Sequence, residues 1–81
     1  MNINLAGVGP IGRSIIERDI SSLSPSYARE YALVVDHAQG SELWDSDGRR
    51  YIDFMAGVAV MNVGHRHPYV VEKVREQIDK F

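Results

Sequence analysis

The sequence predicts an α+β chain: a short N-terminal helix, a three-stranded antiparallel β-meander and a C-terminal helix. Three observations predict it. Ile16, Ile20 and Leu23 recur four and three apart, the spacing of one helical face. Three short runs, Leu33-Val34-Val35, Leu43-Trp44 and Arg50 to Phe54, are separated by turn signals. Val70, Val71, Val74, Ile78 and Phe81 then return to helical spacing.

Residues 1–12 read as a flexible Gly-rich arm, with Gly7, Gly9 and Gly12 around Pro10. The first helix spans Arg13 to Leu23. Ser24-Pro25-Ser26 ends it, because proline lacks an N–H and pushes its predecessor out of the α region. Leu33-Val34-Val35 is β-branched and suits a strand. Gln39-Gly40 turns the chain into Leu43-Trp44. Asp45-Ser46-Asp47-Gly48 is a hairpin loop, since Asp and Gly tolerate φ > 0 at low cost. Arg50 to Phe54 alternates, with Tyr51 and Asp53 on one face and Ile52 and Phe54 on the other. Trp44, Tyr51 and Phe54 read as core. Ala56 to Val60 is small and apolar and reads as an extended buried segment, broken at Gly64. Pro68 suits the first turn of a helix. That helix carries a Glu76–Lys80 pair and runs to Phe81 without a Gly or Asn cap. The missing stop and the unpartnered apolar stripes suggest a piece of a larger protein, or one that associates.

The chain has 81 residues and a formal charge of −2; 44% are hydrophobic and 25% charged, which is globular rather than disordered composition. It is long enough for one small domain and contains no cysteine, so a disulfide scaffold and a cysteine zinc site are excluded. Mild acidity offers no electrostatic reason to bind nucleic acid or an anionic membrane. The longest apolar stretch, Met55 to Val63, is far short of the roughly 20 residues a membrane span needs. No secretory signal is visible, and the expected compartment is the cytoplasm.

Gly7-Val8-Gly9-Pro10-Ile11-Gly12 matches G-x-G-x-x-G, the phosphate-binding turn of dinucleotide folds. The context argues against that use. The strand before it, Ile3 to Ala6, would alternate Asn with apolar residues, whereas a central parallel strand is near-continuously apolar. Asp36 lies 29 residues after Gly7, beyond the usual interval of about 20, and a meander follows it. A truncated nucleotide unit using Gly7, Gly9 and Gly12 is therefore the lesser alternative. His65-x-His67 lacks the three or four ligands a metal needs. Asp45 and Asp47 are explained by turn chemistry. No G-x-S-x-G or Ser-His-Asp arrangement exists.

The block Leu43-Trp44-Asp45-x-Asp47-Gly48-Arg49-Arg50-Tyr51-Ile52-Asp53-Phe54-x-Ala56-Gly57-Val58-Ala59-Val60 leads into Gly64-His65-x-His67-Pro68 and Val70-Val71-x-x-Val74-x-x-Gln77. It resembles the N-terminal portion of class-III pyridoxal-phosphate aminotransferases, the 4-aminobutyrate, ornithine and acetylornithine aminotransferase group. Gly9-Pro10-x-Gly12-Arg13 and Leu23-Ser24-Pro25-Ser26-Tyr27 look like one branch of it.

The resemblance implies that residues 13–81 belong to the small domain of a fold-type-I enzyme. It implies a homodimer that uses pyridoxal phosphate to move an amino group from an amine or amino acid to a 2-oxo acid. It implies that Val58 lines the substrate pocket, with Gly57 and Met61 beside it. The family's Schiff-base lysine, pyridine-nitrogen acid and phosphate cradle lie beyond such a segment. Lys73 sits on a polar helix face and Lys80 at the helix end, so the 81 residues alone are expected to be inactive, with no catalytic or cofactor-binding residue. The competing reading is a non-catalytic assembly module that uses the Val70–Phe81 stripe and segment 55–63.

Overall fold

The computed structural model describes residues 4–26, 29 and 31–81. Ile3 of the nucleotide reading and Tyr27 of the family block lie outside them. In order, the elements are α1 (Pro10–Ser22), β1 (Val35–Gln39), β2 (Glu42–Asp45), β3 (Arg50–Ile52), the short turn α2 (Ala56–Ala59) and α3 (Pro68–Ile78).

Helix α1 begins earlier than the sequence spacing indicates. Pro10 opens it, where a missing N–H costs nothing, so Pro10 to Gly12 are helical. At the other end the Leu23 N–H still donates to the Asp19 carbonyl, 3.0 Å away, before the chain turns extended ahead of Pro25. The Arg29 guanidinium closes on the Asp19 carboxylate at 3.1 Å.

The strands form one antiparallel sheet in the order β1-β2-β3. The register sets His37 opposite Trp44 and Leu43 opposite Tyr51. β1 starts at Val35, later than the Leu33-Val34-Val35 run suggests, and carries a bulge between Val35 and His37; before it, the Ser46 N–H still reaches the Val34 carbonyl at 2.9 Å. The bulge leaves His37 stacked on Trp44, with ring centroids 4.6 Å apart, and bonded to Asp36 at 2.7 Å. β3 stops at Ile52, and the Asp53 N–H turns aside to the Ser41 carbonyl at 2.8 Å.

Among the described residues the buried hydrophobics are Ile16 of α1 and Leu43 of β2. The aromatic core expected from the sequence does not form. Trp44 is half-buried, Tyr51 is exposed and Phe54 is 92% exposed. The strands contact one another, but no helix lays a broad face on them. Helix α3 has its apolar stripe at the expected spacing and buries none of it. It ends at Ile78 rather than running on. The N–H groups of Lys80 and Phe81 both fold back to the Gln77 carbonyl, at 3.0 and 2.8 Å, and Glu76 reaches Lys73 rather than Lys80. The accessible surface is 6517 Å², against about 4,900 Å² for a compact protein of this mass. The radius of gyration is 15.0 Å, where about 12 Å is usual for the length. No helix of the described residues is long and apolar enough to cross a membrane.

Candidate functional site

The segment from Asp53 to His65 is tied at both ends to the turn between β1 and β2. At its start the Asp53 N–H donates to the Ser41 carbonyl. At its end His65 and Gly40 exchange backbone hydrogen bonds of 2.9 and 2.8 Å. Gly64 makes that approach possible, because a Cβ there would lie 3.0 Å from the Gly40 Cα, and its φ is +83°. The two ends are then joined to each other. Asp53 Oδ2 lies 2.5 Å from His65 Nε2, and Asp53 Oδ1 accepts the Ala56 N–H at 2.8 Å. The Asp53 and His65 side chains are 10% and 21% exposed, so this latch is largely withdrawn from water.

Between the ends lies α2, which is neither extended nor buried as its composition suggested. Ala56, Gly57, Val58 and Ala59 have φ of +50, +63, +62 and +63°. This is a turn of left-handed helix. The Ala59 and Val60 N–H groups donate to the Met55 and Ala56 carbonyls at 2.9 Å. The left-handed region costs a residue with a Cβ roughly 1–2 kcal/mol, and Val58 is β-branched as well. Small neighbours make the turn sterically feasible, and the Asp53 carboxylate gives its first N–H an acceptor. Val58 is carried outward, 80% exposed. Gly57 was one sequence sign of positive φ. An Asp three residues before Ala56 was the other, since a short acidic side chain captures nearby backbone N–H groups.

His65 and the Ala56 N–H hold the Asp53 carboxyl below the ordinary aspartate range, against the opposing effect of burial. A depressed native pKa stabilises fully above the unfolded value of about 3.9 and is lost as pH falls through the depressed value. The Ala56 amide is therefore expected to lose protection, measured against the intrinsic exchange rate at each pH, as the medium is acidified below the usual aspartate range. Asp53→Asn should abolish that step. A flat profile in the parent protein would contradict the latch.

The Gly-rich motif has a different partner from the one its pattern suggests. The Asp47 carboxylate, from the β2–β3 hairpin, accepts the Ile11 and Gly12 N–H groups at 2.9 and 2.8 Å. A Cβ on Gly9 would stand 2.3 Å from the Asp47 Cγ. Gly9 and Gly12 thus admit an internal carboxylate to the helix N-terminus, where a pyrophosphate would otherwise sit. Asp47 is placed by Asp45, whose carboxylate accepts the Asp47 and Arg49 N–H groups and the Tyr51 hydroxyl, each at 2.9 Å. The Arg49 guanidinium donates to the Gly7 carbonyl.

The three pocket residues expected from the sequence do not share one cavity. Gly57 lines a groove of about 400 Å³ together with Leu43, Phe54 and His65. Met61 lines another of about 660 Å³ with Val63, Val70 and Val74, flanked by Arg66 and Arg75. Val58 stands on the outer surface between them in sequence. His65 is engaged by Asp53. Among the described residues no group of three or more metal-ligating side chains occurs.

Comparison with known proteins gives this geometry its context. Residues 24–81 match the family described as Aminotransferase class-III. The 2-aminoadipate transaminase of Pseudomonas putida is 45% identical over 56 residues, which are 69% of this chain and 14% of that protein. The acetylornithine aminotransferase of Elizabethkingia anophelis superposes with a TM-score of 0.76 at 32% identity, over 85% of this chain and 17% of that one. The taurine:2-oxoglutarate aminotransferase of Bifidobacterium kashiwanohense, solved with PLP and glutamate, superposes at 0.71 with 26% identity, over 86% and 16%. The chain therefore spans 14 to 17% of the length of these relatives.

Pyridoxal phosphate, the cofactor this family implies, finds no fitting site among these residues. Lys73 pairs with Glu76 at 3.4 Å and lies over the Tyr69 ring, half exposed on α3. Lys80 is exposed past the helix end. Neither has the desolvated surroundings a Schiff-base lysine needs. The family match covers most of the chain, the superpositions cover its fold, and by both the chain belongs to the class-III aminotransferases.

Proposed function

We propose that this chain is the N-terminal part of a pyridoxal-phosphate-dependent enzyme that moves an amino group from an amine or amino acid to a 2-oxo acid. The observation that carries the reading is the family match over residues 24–81, together with the superposition on an acetylornithine aminotransferase. Residues 13–81 form a segment of the smaller domain. They contribute wall and rim to an active centre whose lysine and phosphate cradle come from outside residues 1–81. The enzyme is a cytoplasmic homodimer and needs neither nucleic acid nor a membrane. Much of the chain's apolar surface is uncovered, which suits a piece that completes its core against further protein.

Within this reading Val58 touches the aliphatic chain of the amino donor, with Gly57 and Met61 contributing from the two neighbouring grooves. Exposed apolar side chains on a rigid turn suit that role, since substrate pockets are mostly apolar with few polar groups. The test is amino transfer to 2-oxoglutarate by the complete polypeptide, across a panel of α- and ω-amino acids. Transfer from at least one donor is expected, and absence of transfer from all of them overturns the proposal. Val58→Phe should raise the KM for the preferred donor about tenfold, the scale of one badly fitted apolar group in a pocket. An unchanged donor KM would remove Val58 from the pocket.

A further inference from the structure

We propose that Asp53 and His65 are positioning residues for the donor pocket. Their hydrogen bond holds the Ala56–Ala59 turn in its left-handed form and so fixes where Val58 meets the substrate. The inference rests on the reading that Val58 lines the pocket, and it adds residues that do not themselves touch substrate.

Three features of the structure converge on it. The turn places three residues bearing Cβ atoms, Ala56, Val58 and Ala59, in a region such residues avoid. A conformation of this kind persists only where its surroundings over-determine it, and such sites cluster where position matters for function. The over-determining contacts come from one carboxylate. Asp53 Oδ1 takes the Ala56 N–H that starts the turn, while Asp53 Oδ2 takes His65 Nε2. His65 is in turn fixed through its backbone to Gly40, and the Asp53 N–H to Ser41, so the latch is anchored on the β1–β2 turn, outside the segment it holds. Between the anchors, the Phe54 and Val58 side chains are largely exposed, at 92% and 80%. The hand of the backbone, set by the latch, is therefore what aims Val58. Were the turn to relax to right-handed or extended backbone, the Val58 Cβ would swing to another direction while Asp53 and His65 stayed where they are.

The test compares His65→Phe with His65→Gln in the complete, cofactor-loaded aminotransferase. Phe removes the partner of Asp53, whereas the Gln amide can still donate to it. His65→Phe is expected to raise the donor KM about tenfold, leaving kcat and the 2-oxo acid KM within twofold. His65→Gln should restore most of the donor KM. In parallel, ¹³C shifts of Ala56 and Ala59 should report positive φ in the parent and in His65→Gln, and lose that signature in His65→Phe. Unchanged donor KM in His65→Phe overturns the proposal, as does a shared loss of kcat and both KM values. Should His65→Phe not fold, Asp53→Asn serves, with a raised donor KM expected and an unmoved one decisive against. The underlying pocket reading fails separately: Val58→Phe would then leave donor KM unmoved, while the alanine shifts in His65→Phe would still report whether the latch holds the turn.

Discussion

Gly9→Ala will strip the cap from helix α1 and lower the melting temperature of the complete polypeptide. The new methyl would stand 2.3 Å from the Asp47 Cγ and 2.6 Å from both carboxylate oxygens, so Asp47 must leave. The Ile11 and Gly12 N–H groups then lose their acceptor, and losing an N-terminal cap costs about 1–2 kcal/mol. Gly9 cannot replace it, having no side chain. Asp47→Ala removes the same cap without the clash and should cost less than Gly9→Ala. Placed together, the two substitutions should be no worse than Asp47→Ala alone, since the alanine at 47 vacates the space the methyl needs. That non-additivity is the signature of direct contact. A parent-like melting temperature for Gly9→Ala would show that the carboxylate does not sit over the helix start.

The polypeptide of residues 1–81, purified alone, is expected to melt broadly and without a cooperative transition, and to bind ANS strongly. The reason is the small buried core against the long apolar face of α3 and the exposed segment from Phe54 to Val63. Three strands and two helices, with two buried hydrophobic side chains among the described residues, do not offset the chain entropy of folding. In the complete polypeptide the same residues should be protected from hydrogen exchange, α3 most of all, because its stripe gains a partner surface. A sharp two-state melt of the 81 residues without ANS binding would contradict this and favour a self-sufficient module.

Several parts of this architecture were readable from local residue chemistry. The meander followed from two turn signals between apolar runs, and α3 from its spacing and Pro68. The start of α1 was misread because Gly9, Pro10 and Gly12 look like an arm when considered alone. The helix start at Pro10, just after the extended Gly9, is capped by a carboxylate 35 residues beyond Gly12, and no local pattern reveals such a partner. The hand of the Ala56–Ala59 turn was legible only in part, from Gly57 and from Asp53 three residues before Ala56. Alanine and valine do not choose positive φ, and the Asp53–His65 pair that holds them there joins residues 12 apart. The aromatic core was overestimated because Tyr51 and Phe54 look like core by type, whereas Phe54 is 92% exposed and Tyr51 is covered only in part, its hydroxyl spent on Asp45. The G-x-G-x-x-G pattern was weighed correctly from its flanks, and Asp47 supplies the physical reason.

Under the proposed function, these residues shape an active centre whose reactive lysine lies outside residues 1–81. Borohydride reduction of the complete, cofactor-loaded protein, followed by peptide mapping, tests it most directly. The expected result is a pyridoxyl label on a lysine outside residues 1–81. A label on Lys73 or Lys80 would contradict it.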